Sequence, residues 1–314
     1  MKGYIANTDY DWYTFLKQQP GLDEVNFWQP SGGRQFKAIS KYAPFFFKLK
    51  KPYYAISGFG YYMHFSIIPA RLAWDTFGQA NGAPDFETMN ARIEKYRKPV
   101  HRDPRGEYGI GCIIVTQPTF FSESDWIPQP KDWGRPTVQG ATFDLTQGEG
   151  KRIWEECRLR TQLQKYKSAG LAGASVQKEE SSRYGEAALV TPRLGQGAFR
   201  IEVLDAYGRA CAVTREHTLP VLEAAHIKPY AQKGDHAVPN GLLLRSDIHA
   251  LFDRGYVTVT PEHRFEVSRR LKQEFHNGKS YYPLNGNLIH LPGKQVDRPD
   301  PALLEWHNSH VFRG

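Results

Sequence analysis

LEAAHIKPYAQKGDHAVPNGLLLRSDIHALFDRGYVTV, residues Leu222–Val259, is the stretch that decides the C-terminal fold. VLEAAHI and GLLLR are short apolar runs of strand length. Between them lie Lys, Pro, Gly and Asn residues that mark a loop. SDIHALFD then reads as a short helix, with Ser246 placed to cap it and Asp247 in its first turn. His226 ends the first strand, Asn240 sits in the Pro/Asn/Gly turn before the second, and His249 rides on the helix. His249 and Asp253 are spaced i, i+4 and share one helix face. A histidine at a strand end facing two donors on one helix face can hold a divalent ion.

Cleaving a phosphodiester needs a base that deprotonates water and a cation that neutralises charge on phosphate and departing oxygen. A neutral imidazole suits the first task near pH 7. An amide such as Asn240 can orient it without adding charge.

The segment, with the flanking CAVTRE at 211–216, resembles the HNH nuclease family, whose core is a β-hairpin followed by a metal-binding helix, ββα-metal. The likeness covers about residues 200–260. It implies that His226 is the general base, that Asn240 positions it, that His249 is a metal ligand and that Asp253 stands at a second ligand position. The implied cofactor is Mg²⁺ or Mn²⁺. In one place the sequence departs from the family pattern: Ala225 precedes the base, where many members carry an Asp or His ligand. Glu223 is a possible substitute, its direction left open by strand alternation. Lys228, Arg245 and Arg254 flank the site as candidate phosphate contacts. His217 and His236 read as loop residues, and Cys211 as core.

Outward from this segment, the 314 residues suit two domains. Three widely spaced cysteines form neither a disulfide framework nor a zinc knuckle, and fit a reducing, cytoplasmic setting. No signal-peptide core and no membrane-length apolar run is visible. A net charge of +8 favours a polyanionic partner, and the 13% aromatic content suits contact with bases as well as phosphates.

The expected organisation is α+β: an N-terminal mixed β-barrel with peripheral helices over 1–145, a helix and linker over 146–196, and the HNH domain over 197–314. KAISKYAPFFFKLKKPYYAISGFGYYMHF reads as two or three strands and GIGCIIVTQPTFF as a buried one. Helices are expected at Asp9–Gln18, capped by Thr8, and at Ala70–Phe77, Phe86–Tyr96 and Pro301–His310. In GEGKRIWEECRLRTQLQKYK, Trp154, Leu159 and Leu163 recur at helical spacing. Residues 168–195 read as a linker, and YVTVT with FEVSRRL as a hairpin.

In the N-terminal half, EVNFWQPSGGRQFKAI, FFFKLKKPYYAISGFGYY, ARLAWDTFGQANG and SDWIPQPKDW resemble the EVE-like branch of the PUA superfamily. That likeness implies a small barrel that binds a modified nucleobase. An enzyme that inspects a base takes it out of the stack, into a pocket with flat walls and a polar edge. Trp28, Phe59 and Tyr61 are the expected walls, Asn26 and Ser31 the polar edge, and Gly32, Gly33, Gly58 and Gly60 the points of close backbone approach. The two resemblances together imply a modification-dependent restriction endonuclease that reads 5-methylcytosine or 5-hydroxymethylcytosine in double-stranded DNA. Two strands need two cuts, so a homodimer is expected. A sequence-specific HNH nuclease and a non-catalytic nucleic-acid binder stay open as alternatives.

Overall fold

The computed structural model describes residues 1–33, 35–97, 103–134, 137–171 and 195–314. Most of the expected linker, 168–195, lies outside the described residues. The chain divides into two compact units, Met1–Arg193 and Leu194–Gly314.

The first unit is built on a mixed sheet. Its elements are β1 (Lys2–Thr8), α1 (Tyr10–Lys17), β2 (Glu24–Gln29), β3 (Pro44–Leu49), β4 (Ala55–Pro69), α2 (Ala70–Phe77), α3 (Phe86–Arg97), β5 (Gly109–Phe120), β6 (Ile127–Pro128), β7 (Gly140–Asp144) and α4 (Gly148–Leu171). The strand order is β2-β5-β4-β3-β1-β7, with β6 added on β4. β1 and β3 run parallel, and every other pairing is antiparallel. The 15-residue β4 shifts register at Phe59/Tyr61 and Tyr62/His64 against β5, and β3 shifts at Phe47/Lys48. Such irregularities bend a strand and increase its twist, which curls the sheet.

The Phe45–Phe47 run is apolar without alternation because both faces of β3 are covered. Phe45 and Phe47 pack with Tyr4, Trp12, Tyr13 and Leu16, beneath α1. Phe46 points the other way, into a cluster with Ile5, Phe59, Phe121, Ile153 and Cys157. The last two come from α4, which therefore belongs to the first unit and completes its second core. The helical stripe that does this is Ile153, Trp154 and Cys157, whereas Leu159 and Leu163 are exposed. Trp154 packs edge-on against Phe46 and Phe59. A fragment ending at residue 145 would leave this cluster open to water. Gly58 and Gly60 serve the same packing: a Cβ at either would strike the backbone of β5, at Thr119 O and Thr116 O.

Thr8 does not cap α1; its hydroxyl bonds Ala6 O, and Asp9 occupies the cap position without a side-chain bond to the helix.

The second unit comprises α5 (Gln196–Ala206), β8 (Leu222–His226), β9 (Gly241–Arg245), α6 (Ser246–Asp253), β10 (Val257–Val259), β11 (Phe265–Val267), α7 (Arg270–Phe275) and α8 (Pro301–His310). β8 and β9 pair antiparallel, with His226 opposite Gly241, and α6 follows directly, giving a β-hairpin and helix. β10 and β11 form the second hairpin, and the Arg270–Leu271 pair expected to extend it starts α7 instead. Asp300 caps α8 by accepting a bond from Ala302 N, with Pro301 at its first position. Cys211 is fully buried. The fold class is α+β. No helix among the described residues is long and apolar enough to cross a membrane.

Candidate active site and base-sized cavity

The loop between β8 and β9 is held by Asn240, whose side chain is completely buried. Its Oδ1 accepts from Lys228 N at 2.8 Å, and its Nδ2 donates to Lys228 O at 2.9 Å and to Asp235 O at 2.8 Å. Ile227 N also donates to Asn240 O. The amide thus closes the loop on itself just beyond the strand that ends at His226. The chain comes so close here that a Cβ on Gly234 would lie 1.9 Å from Lys228 O. The Asn240 side-chain bonds go to backbone of Lys228 and Asp235, so the amide fixes the loop that follows the His226 strand.

His226 is half-buried, and its ring stacks on Phe199 of α5 with centroids 4.0 Å apart. Gly241, opposite His226 in the hairpin, makes this possible, since a Cβ there would come within 3.0 Å of Phe199. His226 Nε2 lies 2.9 Å from His236 Nδ1, and His236 in turn stacks on Tyr230. Burial, helped by the neighbouring charges of His236 and His249, lowers the His226 pKa to about 4. The imidazole is therefore neutral at pH 7 and able to accept a proton. His236, expected to be a simple loop residue, is a member of the site. Its place could not be read from a lone histidine in a loop.

His249 presents both ring nitrogens to carboxylates. Nδ1 is 2.6 Å from Glu223 Oε2 on β8, and Nε2 is 3.4 Å from Asp253 Oδ2 one helical turn on. The strand alternation that left Glu223 open directs it towards α6. Ala225 is buried and offers no donor.

The first unit contains a cavity of about 250 Å³ lined by Tyr4, Asn7, Asp9, Trp12, Phe27, Trp28, Gln29, Lys50 and Tyr96, among others. Its lining draws on β1 and β2, from opposite halves of the strand order, so the curled sheet encloses it. Of the expected pocket residues, Trp28 lines the cavity, and its indole N–H donates to Asn81 O at 3.0 Å. The other four do not meet there. Asn26 is buried and donates to Asn81 Oδ1. Ser31 is exposed. Phe59 and Tyr61 pack on the opposite face of the sheet, in the cluster completed by α4. The reason is strand periodicity together with the register shift at Phe59/Tyr61, which an aromatic-rich string does not display.

Residues 211–260 match the family model of HNH endonucleases. This segment is an HNH endonuclease module. Among solved structures, the chain is similar to an ASCH protein from Zymomonas mobilis, at 11% identity and a TM-score of 0.31, over 48% of this chain and 94% of that one. A Y47F mutant of that protein matches at the same identity and score, over 96% of its length. A modification-dependent TagI restriction endonuclease is similar at 11% identity and a TM-score of 0.28, over 99% of this chain and 81% of that one. Comparison with curated proteins gives no match.

Within the HNH module, His249 is the residue around which a cation would be held. Its two carboxylates sit on opposite nitrogens of one ring, so a cation at either nitrogen would meet His249 and one carboxylate. No group of three or more His, Cys, Asp or Glu side chains converges on one point among the described residues. This donor set fits a hard cation that keeps much of its shell as water and phosphate oxygen.

The flanking cations are not equivalent. Arg245 is engaged with Asp247 through two contacts, at 2.9 and 2.6 Å, and Asp247 also accepts from Tyr281. This pair uses Nε and Nη2 of a partly exposed guanidinium. Arg254 is exposed, with a single bond to Ala250 O, and Lys228 lies over the Trp306 ring at 5.4 Å. Of the three, Arg254 is the exposed one, and Lys228 and Arg245 are partly buried. Ser246 begins α6 without making a side-chain cap.

Proposed function

We propose that the protein is a modification-dependent DNA endonuclease that reads a flipped 5-methylcytosine or 5-hydroxymethylcytosine in its N-terminal unit and cuts with its HNH module. The cutting part of this reading rests on the neutral His226, fixed on Phe199, in one module with the His249–carboxylate set, and the reading part on the aromatic cavity that Trp28 lines.

In the reaction, His226 takes a proton from the attacking water. With Nε2 turned to His236, Nδ1 is the nitrogen that receives it. Asn240 keeps the loop, and therefore the base, in place. His249 with Glu223 or Asp253 would hold Mg²⁺ or Mn²⁺, which would supply positive charge at the scissile phosphate and the departing oxygen. Lys228 and Arg254 contact the DNA backbone. One module makes one nick, so two copies related by two-fold symmetry would cut both strands.

In the N-terminal unit, a base turned out of the duplex stacks in the aromatic cavity that Trp28 lines. The test is binding of the full chain, with EDTA present, to matched duplexes with and without one modified cytosine, at one salt concentration. Tighter binding of the modified duplex is expected. Base–aromatic stacking contributes about 1–3 kcal/mol, so Trp28→Ala should weaken that binding by roughly 5–150-fold. Equal affinity of the wild-type protein for both duplexes would refute the reader assignment.

A further inference from the structure

Asp9 and Lys50 meet because of strand direction. β1 and β3 are the parallel pair, with Thr8 in register with Leu49. The residues that follow, Asp9 and Lys50, therefore leave the sheet side by side. Lys50 Nζ lies 2.6 Å from Asp9 Oδ1. Tyr96, from α3, brings its hydroxyl to 2.9 Å from both Asp9 oxygens and 3.3 Å from Lys50 Nζ. All three line the cavity, together with Trp12, Phe27 and Trp28. The Asp9 and Lys50 side chains are 37% and 41% exposed, so both keep a face towards a ligand.

This wall has a polarity. A carboxylate has about four lone-pair positions, and the Lys50 and Tyr96 bonds do not use them all. The Lys50 ammonium beside it has three hydrogens, only one of which points at Asp9 in any one geometry. The wall thus offers an acceptor next to a donor. Cytosine presents an amino donor next to the N3 acceptor, and adenine an amino donor next to N1. Thymine presents the reverse, with O4 where the amino group would be. A carboxylate accepting from the cytosine amino group is an established way of reading that base.

We propose that Asp9, held by Lys50 and Tyr96, is the specificity residue of the cavity and selects a base whose edge carries an amino group beside a ring-nitrogen acceptor. This rests on the cavity being the base reader. Lys50 pairs with the ring nitrogen, and the aromatic walls cover the faces of the ring. Position 5 of a pyrimidine is not engaged by these groups, so Asp9 discriminates amino from oxo bases and not methylated from unmethylated ones.

The experiment compares binding of the full chain, without divalent metal, to duplexes that differ at one position. One carries 5-methylcytosine opposite guanine, one thymine opposite guanine, one cytosine opposite guanine and one N6-methyladenine opposite thymine. Thymine keeps the 5-methyl group and changes only the amino edge. Its mismatch is also easier to flip, which biases the comparison against the proposal. The expected result is binding of the 5-methylcytosine duplex at least about tenfold tighter than the thymine duplex, the scale of one hydrogen bond to a charged group. Stronger binding of the N6-methyladenine duplex than of the thymine duplex, with 5-methylcytosine no better than thymine, would assign the amino edge to adenine. Asp9→Asn should remove most of the preference for the amino base, because the amide can turn a donor towards O4. Asn keeps the shape of the side chain, and the ion pair it breaks with Lys50 is partly exposed, so this variant should stay folded with at most a small fall in melting temperature. Thymine bound as well as both amino bases by the wild-type protein would overturn the proposal, as would an unchanged preference in folded Asp9→Asn. Equal binding of cytosine and 5-methylcytosine, with both preferred over thymine, would instead refute modification reading and leave the role of Asp9 standing.

Discussion

His226→Ala should lose about 10²–10⁴-fold in the rate of strand cleavage, the usual cost of removing a positioned general base. DNA binding should stay near that of the wild type, since the ring faces Phe199 and His236 and carries no charge at neutral pH. The same environment gives the pH dependence. Protonation removes the base, and burial with the neighbouring histidines lowers its pKa to about 4. Single-turnover cleavage should therefore hold as pH falls through the ordinary histidine range near 6.5 and decline only towards about 4, provided metal is saturating. Bound phosphate would move that decline upward by favouring imidazolium. A variant that turns over at the wild-type rate would remove His226 from the chemistry.

His249→Ala should be the most damaging change on the metal side, at about 10²–10³-fold in rate, the scale of losing one preorganised charge-stabilising group. The reason is geometric: His249 contacts both Glu223 and Asp253. Glu223→Ala and Asp253→Ala should each cost less, because water readily replaces one carboxylate in an oxygen-rich shell. Of the two, Glu223→Ala should cost more, since its 2.6 Å contact also orients the imidazole, whereas Asp253 is exposed at 3.4 Å. The check is the rate at rising Mg²⁺ or Mn²⁺ concentration. Loss of metal affinity with recovery at high metal is expected for the carboxylate variants. A His249→Ala enzyme with unchanged metal dependence would contradict the ligand assignment.

The C-terminal module was legible because its candidate residues are local in sequence. His226, Asn240, His249 and Asp253 fall within one short hairpin and helix, where element type alone fixes their relative placement. His236 was not legible, since its contact with His226 depends on the path of a loop closed by the buried Asn240 amide. Nor was the engagement of Arg245, which is decided by rotamer and by Tyr281 arriving from far along the chain.

The N-terminal half shows the opposite case. Its helices at Ala70–Phe77 and near Phe86–Arg97 follow from periodicity, and its strands from their β-branched and aromatic content. Its cavity follows from neither. Asp9 and Lys50 follow β1 and β3, a parallel pair that no local pattern announces, and Tyr96 reaches them from α3. Aromatic enrichment includes Trp28, which lines the cavity, but does not separate it from Phe59 and Tyr61, which strand periodicity and register send to the other face of the sheet.

Recognition and cutting are joined in one measurement: cleavage by the full chain, in Mg²⁺ or Mn²⁺, of matched DNAs containing cytosine, 5-methylcytosine, 5-hydroxymethylcytosine or glucosylated cytosine. The expected result is double-strand cuts in 5-methylcytosine or 5-hydroxymethylcytosine DNA, intact unmodified DNA, and no cutting of any substrate with EDTA. Unmodified DNA cut as fast as its modified counterparts would contradict it.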